Sequence, residues 1–249
     1  VTAYLDPQSP TLEQLRIDAA LMSYEHQEHC VEVLGEHRWQ VSYEPPRFEF
    51  IGDHSLSCTR FHVLGTAAPG PQSWLWSWAN DDWYPPEVTE LARSVRDYGL
   101  RHGIPELCTP EVPFADLPDA PTEPSRVTWL IGELAKAISG CWTWYSCEVG
   151  RGTRLAVLLE HPDLSVPDPE PLGVMHTLNG VFALGLPNHR RAIESYAIQR
   201  GLTTQFSTEE AKIRVAGPTF DVVVAFNDDN LATGMSMSNQ AVRRPPEQK

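Results

Sequence analysis

Apolar residues recur at intervals of three and four along residues 12–34. Leu12, Leu15, Ala19 and Met22 form one row that Val33 continues; Ile17, Leu21, Tyr24, Val31 and Leu34 form a second beside it. That period predicts an amphipathic helix with Gly35 as its stop. Short strands are expected next, at 39–43, 47–51 and 57–64, punctuated by Pro45-Pro46 and Gly52-Asp53. The clearest alternation lies at 73–79, where Trp74, Trp76 and Trp78 interleave with Leu75 and Ser77. Period two puts three indoles on one face of an extended strand. Asn80-Asp81-Asp82 ends that strand. Pro85-Pro86 leads into a helix over 87–101, with Val88, Leu91, Ala92, Val95, Tyr98 and Gly99 inward and Gly103 as its stop.

Six prolines and several acids fall between 104 and 124. Fixed φ angles and missing N–H groups exclude a long regular element there, so this stretch reads as a linker or surface strap. The pattern then resumes. Val127, Leu130, Ile131, Leu134 and Ile138 have helical spacing closed by Gly140, and a hairpin over 142–147 and 153–160 turns at Gly150. A short buried helix is expected around Leu172 to Phe182, and another after Asn188. Strands near 210–216, 219–226 and 231–237 complete the pattern. The reading is an α+β protein of antiparallel sheets packed against helices. It has an N-terminal region at 12–115, a C-terminal region at 124–238 and a flexible polar tail at 239–249. Each region offers a helix followed by a meander, and each carries Asn-Asp-Asp, at 80–82 and 227–229. That repetition is expected either from duplication or from the frequency with which Asn and Asp end strands.

Charge narrows the choice of partners. Of 249 residues, 33 are acidic and 19 basic, a formal charge of -14, and lysine occurs only at 136, 212 and 249. Such a field repels phosphate backbones and anionic bilayers, so neither nucleic acid nor membrane is an expected partner, whereas a basic protein is. No run of 18 apolar residues occurs. The five cysteines are odd in number and follow no secretory pattern, which fits reduced thiols in a cytoplasm.

The segment from Ser73 to Asn80 sits in a frame of Val63-Leu64-Gly65 before it, then Tyr98-Gly99 and His102-Gly103-Ile104-Pro105-Glu106-Leu107 after it. Together these resemble a bacterial, largely actinobacterial, domain family of unknown function, marked by a W-L-W-x-W-A-N strand, a helix and a G-I-P-E-L segment. The resemblance spans roughly residues 20–160. It implies a fold unit and a cytoplasmic bacterial setting, and it brings no catalytic residues with it.

Candidate sites follow from residue type. Trp74, Trp76 and Trp78 would fill a core beneath the 87–101 helix or line a binding groove, with Trp83 on its rim. Asn80, Asp81 and Asp82 would form an acidic corner, or simply end a strand. His189 and Arg190, with Arg191, open a predicted helix, where an anion or an acidic neighbour must offset their charge. Arg151 and Arg154 invite the same two readings. His26, His29 and Cys30 share a helix face but lack the spacing of an established zinc motif, and Cys141 and Cys147 form no C-x-x-C pair, so no metal is expected. The chain contains no G-x-S-x-G, no G-x-x-x-x-G-K-[ST], no H-E-x-x-H and no strand followed by G-x-G-x-x-G, so no cofactor is expected either. The leading expectation is a protein-binding or regulatory module, including the immunity type. The alternative is a small-molecule binder or enzyme with an aromatic pocket lined by Trp76, Trp78, Tyr98, Trp142 and Trp144.

Overall fold

Thr11 opens the first helix through a reciprocal cap. Its hydroxyl accepts from the Gln14 N–H at 3.2 Å, and the Gln14 side-chain oxygen accepts from the Thr11 N–H at 2.9 Å. In the computed structural model, which describes residues 10–80 and 82–239, this is α1 (Leu12–Leu34), closed at Gly35. There follow β1 (His37–Tyr43), β2 (Pro46–Gly52), β3 (Leu56–Cys58), β4 (Arg60–Ala68), β5 (Ser73–Trp76), α2 (Pro86–His102), α3 (Pro105–Cys108) and β6 (Glu111–Pro113). Next come α4 (Pro124–Ser139), β7 (Thr143–Gly150), β8 (Thr153–Glu160), α5 (Pro171–Asn179), α6 (His189–Gln199), β9 (Thr203–Ser207), β10 (Lys212–Ala216), β11 (Phe220–Phe226) and β12 (Ala232–Asn239). The α+β class is as expected. The predicted stops at Gly103 and Gly140 hold, each residue sitting in the left-handed region where a side chain would be strained.

The chain divides into two compact units between Val166 and Pro167. In the first unit a five-stranded antiparallel sheet runs in the order β6-β5-β4-β8-β7, and a three-stranded meander runs β1-β2-β3. One face of the larger sheet offers Leu64, Ala67, Trp74, Trp76, Ala156 and Leu158 to α1, α2 and α4. Its other face offers Phe61, Val63, Leu155, Val157 and Leu159 to Phe48, Phe50, Leu56 and Cys58 of the meander. The second unit holds α5, α6 and a four-stranded sheet in the order β12-β11-β10-β9. In that sheet the Arg214 guanidinium grips the Asp221 carboxylate through two bonds, at 3.0 and 2.8 Å.

Several expectations are corrected. The proline-rich stretch 104–124 does not divide domains. It carries α3 and β6, and β4 pairs directly with β8, so strands from both sides of it share one sheet. The tryptophan strand ends at Trp76, and Ser77–Ala79 turn into a short 3-10 helix. The cause lies in the neighbouring strands. β4 has a bulge between Val63 and Gly65 on one side, and the bond from Trp76 N–H to the Pro110 carbonyl, at 3.0 Å, is the last contact on the other. Ser77 then turns inward and donates to the Val63 carbonyl. The second sheet has four strands rather than three, because the polar segment Thr203–Ser207 pairs with β10. In the first unit α1 precedes the β1-β2-β3 meander and in the second α6 precedes β9 to β12, but these units are not the expected halves, since the division falls after Val166. The two Asn-Asp-Asp runs also occupy unlike places, one beyond the 3-10 turn and one between β11 and β12. The expected tail beyond Asn239 lies outside the described residues.

Cys58 is fully buried, and burial pushes its thiol up to about 12, with nearby Cys30 adding to the effect. In the unfolded chain a thiol ionises near 8.5, so above that pH the unfolded state holds fewer protons than the folded one. Stability contributed by this group is complete below about pH 8.5 and is lost as pH rises towards 12. Urea midpoints measured from pH 8 to 11 are expected to fall. Cys58→Ala should flatten the slope by about 1.4 kcal/mol per pH unit above pH 9. An unchanged slope would show that this thiol does not titrate differently on folding.

Candidate functional site

The tryptophans form core. Trp74 and Trp76 are 0% exposed, their rings meet edge to face at 5.4 Å, and the Trp76 indole donates to the Glu106 carbonyl at 3.0 Å. Trp78, on the 3-10 turn, is also buried, under the Arg96 guanidinium. These three rings therefore line no groove. Each removes roughly 150–250 Å² from water, about 4–6 kcal/mol of burial free energy apiece. Asn80 and Trp83 close a turn, the Trp83 N–H donating to the Asn80 carbonyl at 3.1 Å. Trp83 is 76% exposed, Asp82 is exposed, and Asp81 lies outside the described residues. Among the described residues no three His, Cys, Asp or Glu side chains are grouped to hold a metal ion. His29 contacts the Asp163 carbonyl at 3.1 Å, and Cys30 is buried with its thiol raised to about 11 by desolvation.

The basic cluster at the start of α6 is offset within its own unit. The Asn188 side chain caps the helix by accepting from Arg191 N–H at 2.9 Å. Arg190 pairs with Glu194 at 3.0 Å and lies 3.6 Å over the Phe206 ring. His189 Nδ1 accepts from the Ala232 N–H at 3.0 Å, and burial lowers its pKa. An acceptor nitrogen carries no proton, so this imidazole is neutral and brings no charge to an anion. Arg154 is likewise satisfied, by the Ser146 hydroxyl and carbonyl.

A concavity of the first unit lies elsewhere. It is a cleft of about 1280 Å³, at the end of the large sheet where β4 begins and β8 ends. Arg60 and His62 alternate with Phe61 and Val63, which face the meander, so they project to the helix side. Antiparallel pairing sets Arg60 opposite Glu160. Glu160 Oε1 accepts from His62 Nε2 at 2.8 Å and from the Arg60 guanidinium at 3.2 Å. Around this floor stand Glu90, Leu91 and Ser94 of α2, Ser139 and Gly140 at the end of α4, and His26 of α1. Trp142, half-buried, closes one side with its ring 6.3 Å from that of His26, and His161 and Ser165 border another. Of the five aromatic residues expected to line a pocket, Trp142 alone lines this one.

Burial pushes the Cys141 thiol up to about 12, with the Glu160 carboxylate adding to the rise, and its sulfur donates to the Leu159 carbonyl. Near neutral pH it is protonated and a poor nucleophile. The Ser139 hydroxyl accepts from the Cys141 N–H at 3.2 Å and donates to the Ala135 carbonyl at 2.7 Å. A carboxylate only accepts, so His62 Nε2 carries the hydrogen shared with Glu160. The opposite nitrogen, Nδ1, is buried without a hydrogen-bond partner among the described residues. Arg60 and His62 fall in the strand expected at 57–64; their meeting with Glu160 comes from strand pairing.

Residues 13–162 match a family model described as a family of unknown function (DUF6882). No curated protein and no solved structure matches the chain. No helix among the described residues is long and apolar enough to cross a membrane.

Proposed function

We propose that this chain, which belongs to the family of unknown function DUF6882, is a non-catalytic binding module that seats a basic segment of another protein in the cleft above Glu160. The observation that carries the reading is the cleft itself. At about 1280 Å³ it exceeds the roughly 300–1,000 Å³ that encloses drug-sized ligands, and hydroxyls, imidazoles and carboxylates share its walls with apolar side chains. Glu160 is committed to Arg60 and His62. Glu90, exposed on α2 beside it, is the carboxylate placed to meet an incoming Lys or Arg. A net charge of -14 would steer such a partner towards the protein. Neutralising a basic partner, as a regulatory or immunity-type protein does, is one use of this surface. Five free thiols support a reducing compartment such as the bacterial cytoplasm.

Selection of a random dodecapeptide display library on the immobilised protein is expected to enrich Lys/Arg-rich sequences. Glu90→Lys, an exposed change that leaves the core intact, should weaken their binding about tenfold or more, about 1.4 kcal/mol. Failure to enrich any family of peptides, or enriched peptides that bind Glu90→Lys undiminished, would refute the reading. Enrichment of acidic peptides would reverse the assignment of charge.

A further inference from the structure

A smaller pocket of about 440 Å³ opens between α1, the start of α4 and the loop that joins β6 to α4. Its chemistry runs against that of the chain. In a protein of charge -14, two guanidiniums, Arg16 and Arg126, border it. Trp129 lies one helical turn from Arg126 on the same face of α4, with its indole 45% exposed. Pro118, Pro121 and Leu130 supply the remaining apolar wall.

The two arginines are not equivalent. Arg16 is fixed across the loop by Asp119, at 3.1 Å. Arg126 has no acidic partner among the described residues. The loop itself is held in an unfavourable shape. Asp119 and the following Ala120 both have positive φ, 63° and 40°, although neither is glycine, and the turn is closed by a bond from Ala120 N–H to the Leu117 carbonyl at 3.0 Å. Such strain persists only where the surroundings over-determine it, and it gathers at ligand clamps. The Arg16–Asp119 pair links this turn to α1 at the pocket that Trp129 also lines.

We infer that this pocket is a binding site for a flat organic anion, the ring lying on Trp129 between the prolines and the carboxylate or phosphate meeting Arg126. A planar guanidinium suits both of those groups, and an exposed indole with proline walls suits a ring face. The volume is that of a small-molecule site. The site is separate from the cleft above Glu160 and does not depend on it.

The probe is 1-naphthoate, with 1-naphthylmethylamine as its cationic counterpart and inorganic phosphate as an anion without a ring. The readout is the indole N–H resonances of the ¹⁵N-labelled protein, with the Trp129 signal identified by Trp129→Phe. Naphthoate should shift the Trp129 resonance saturably. Arg126→Ala, a change at an exposed residue, should raise its Kd at least tenfold while thermal melting stays unchanged. Phosphate should bind more weakly than naphthoate, and the amine should leave the resonance in place. No saturable shift, equal binding of the amine, or a shift that survives in Arg126→Ala would each overturn the assignment. Glu90→Lys should leave naphthoate binding unaltered, so this result stands or falls apart from the peptide selection.

Discussion

Lys136→Met is expected to cost about 3–5 kcal/mol of folding stability, read as a drop in the urea midpoint followed by circular dichroism. Lys136 and Glu133 lie one turn apart on α4, Nζ to Oε1 2.7 Å, with their side chains 4% and 3% exposed. They sit among Ile131, Leu134, Ala135 and Ala137, all buried. Lys136 also approaches the Trp144 ring, at 5.8 Å. Taking two charges out of water is costly, and their mutual attraction roughly offsets that cost only while both are present. Methionine fills nearly the same volume, so packing is conserved and the loss isolates the charge. The carboxylate of Glu133 is left without its cation in a medium that solvates it poorly. One further result follows. The double change Glu133→Gln with Lys136→Met should recover most of the loss, since it removes both charges at once. Equal instability in the single and double variants would mean that packing, and not ion pairing, governs this part of α4.

The helices of the first unit were legible because their apolar spacing is local and their glycine stops are chemical. What escaped the sequence depends on neighbours far along the chain. The indole alternation at 73–79 reads as one strand, yet the strand ends at Trp76 because β4 bulges beside it and β6 runs out. β6 and β9 are outer strands of their sheets. Thr203–Ser207 alternates weakly because it is mostly exposed, and Glu111–Pro113 carries a proline that an outer strand tolerates. The cleft was hidden for a similar reason. His62 and Glu160 are 98 residues apart and meet through strand pairing, which no local period encodes. The aromatic residues were the conspicuous feature, and conspicuous apolar rings are what a core consumes. The second pocket was less visible still, since Arg16, Asp119, Arg126 and Trp129 come from two helices and a loop.

Gly65→Ala is the second substitution expected to have a large effect, a loss of about 3 kcal/mol or more. Gly65 pairs with Trp76 across β4 and β5, just past the bulge that shifts which residues of β4 face the helices. A Cβ at this position would lie 2.2 Å from the Leu75 carbonyl oxygen and 2.7 Å from Cζ2 of Trp74. The second contact is with a ring that is itself fully buried and has no room to retreat. The first is with backbone, so relief requires that β4 and β5 separate, which breaks the ladder presenting Trp74 and Trp76 to α2 and α4. Gly70→Ala is the control. A Cβ there meets nothing within 4 Å, and the change should alter stability by no more than about 0.5 kcal/mol. A double-mutant cycle with Trp74→Leu separates the two clashes. Trp74→Leu is itself costly, so the reading is the penalty of Gly65→Ala in that background: it should shrink, because the ring contact is gone, but not vanish, because the carbonyl contact remains. A penalty that vanishes there would mean that the indole alone demands glycine at 65. A Gly65→Ala protein as stable as the parent would mean that the two strands do not approach as closely as described.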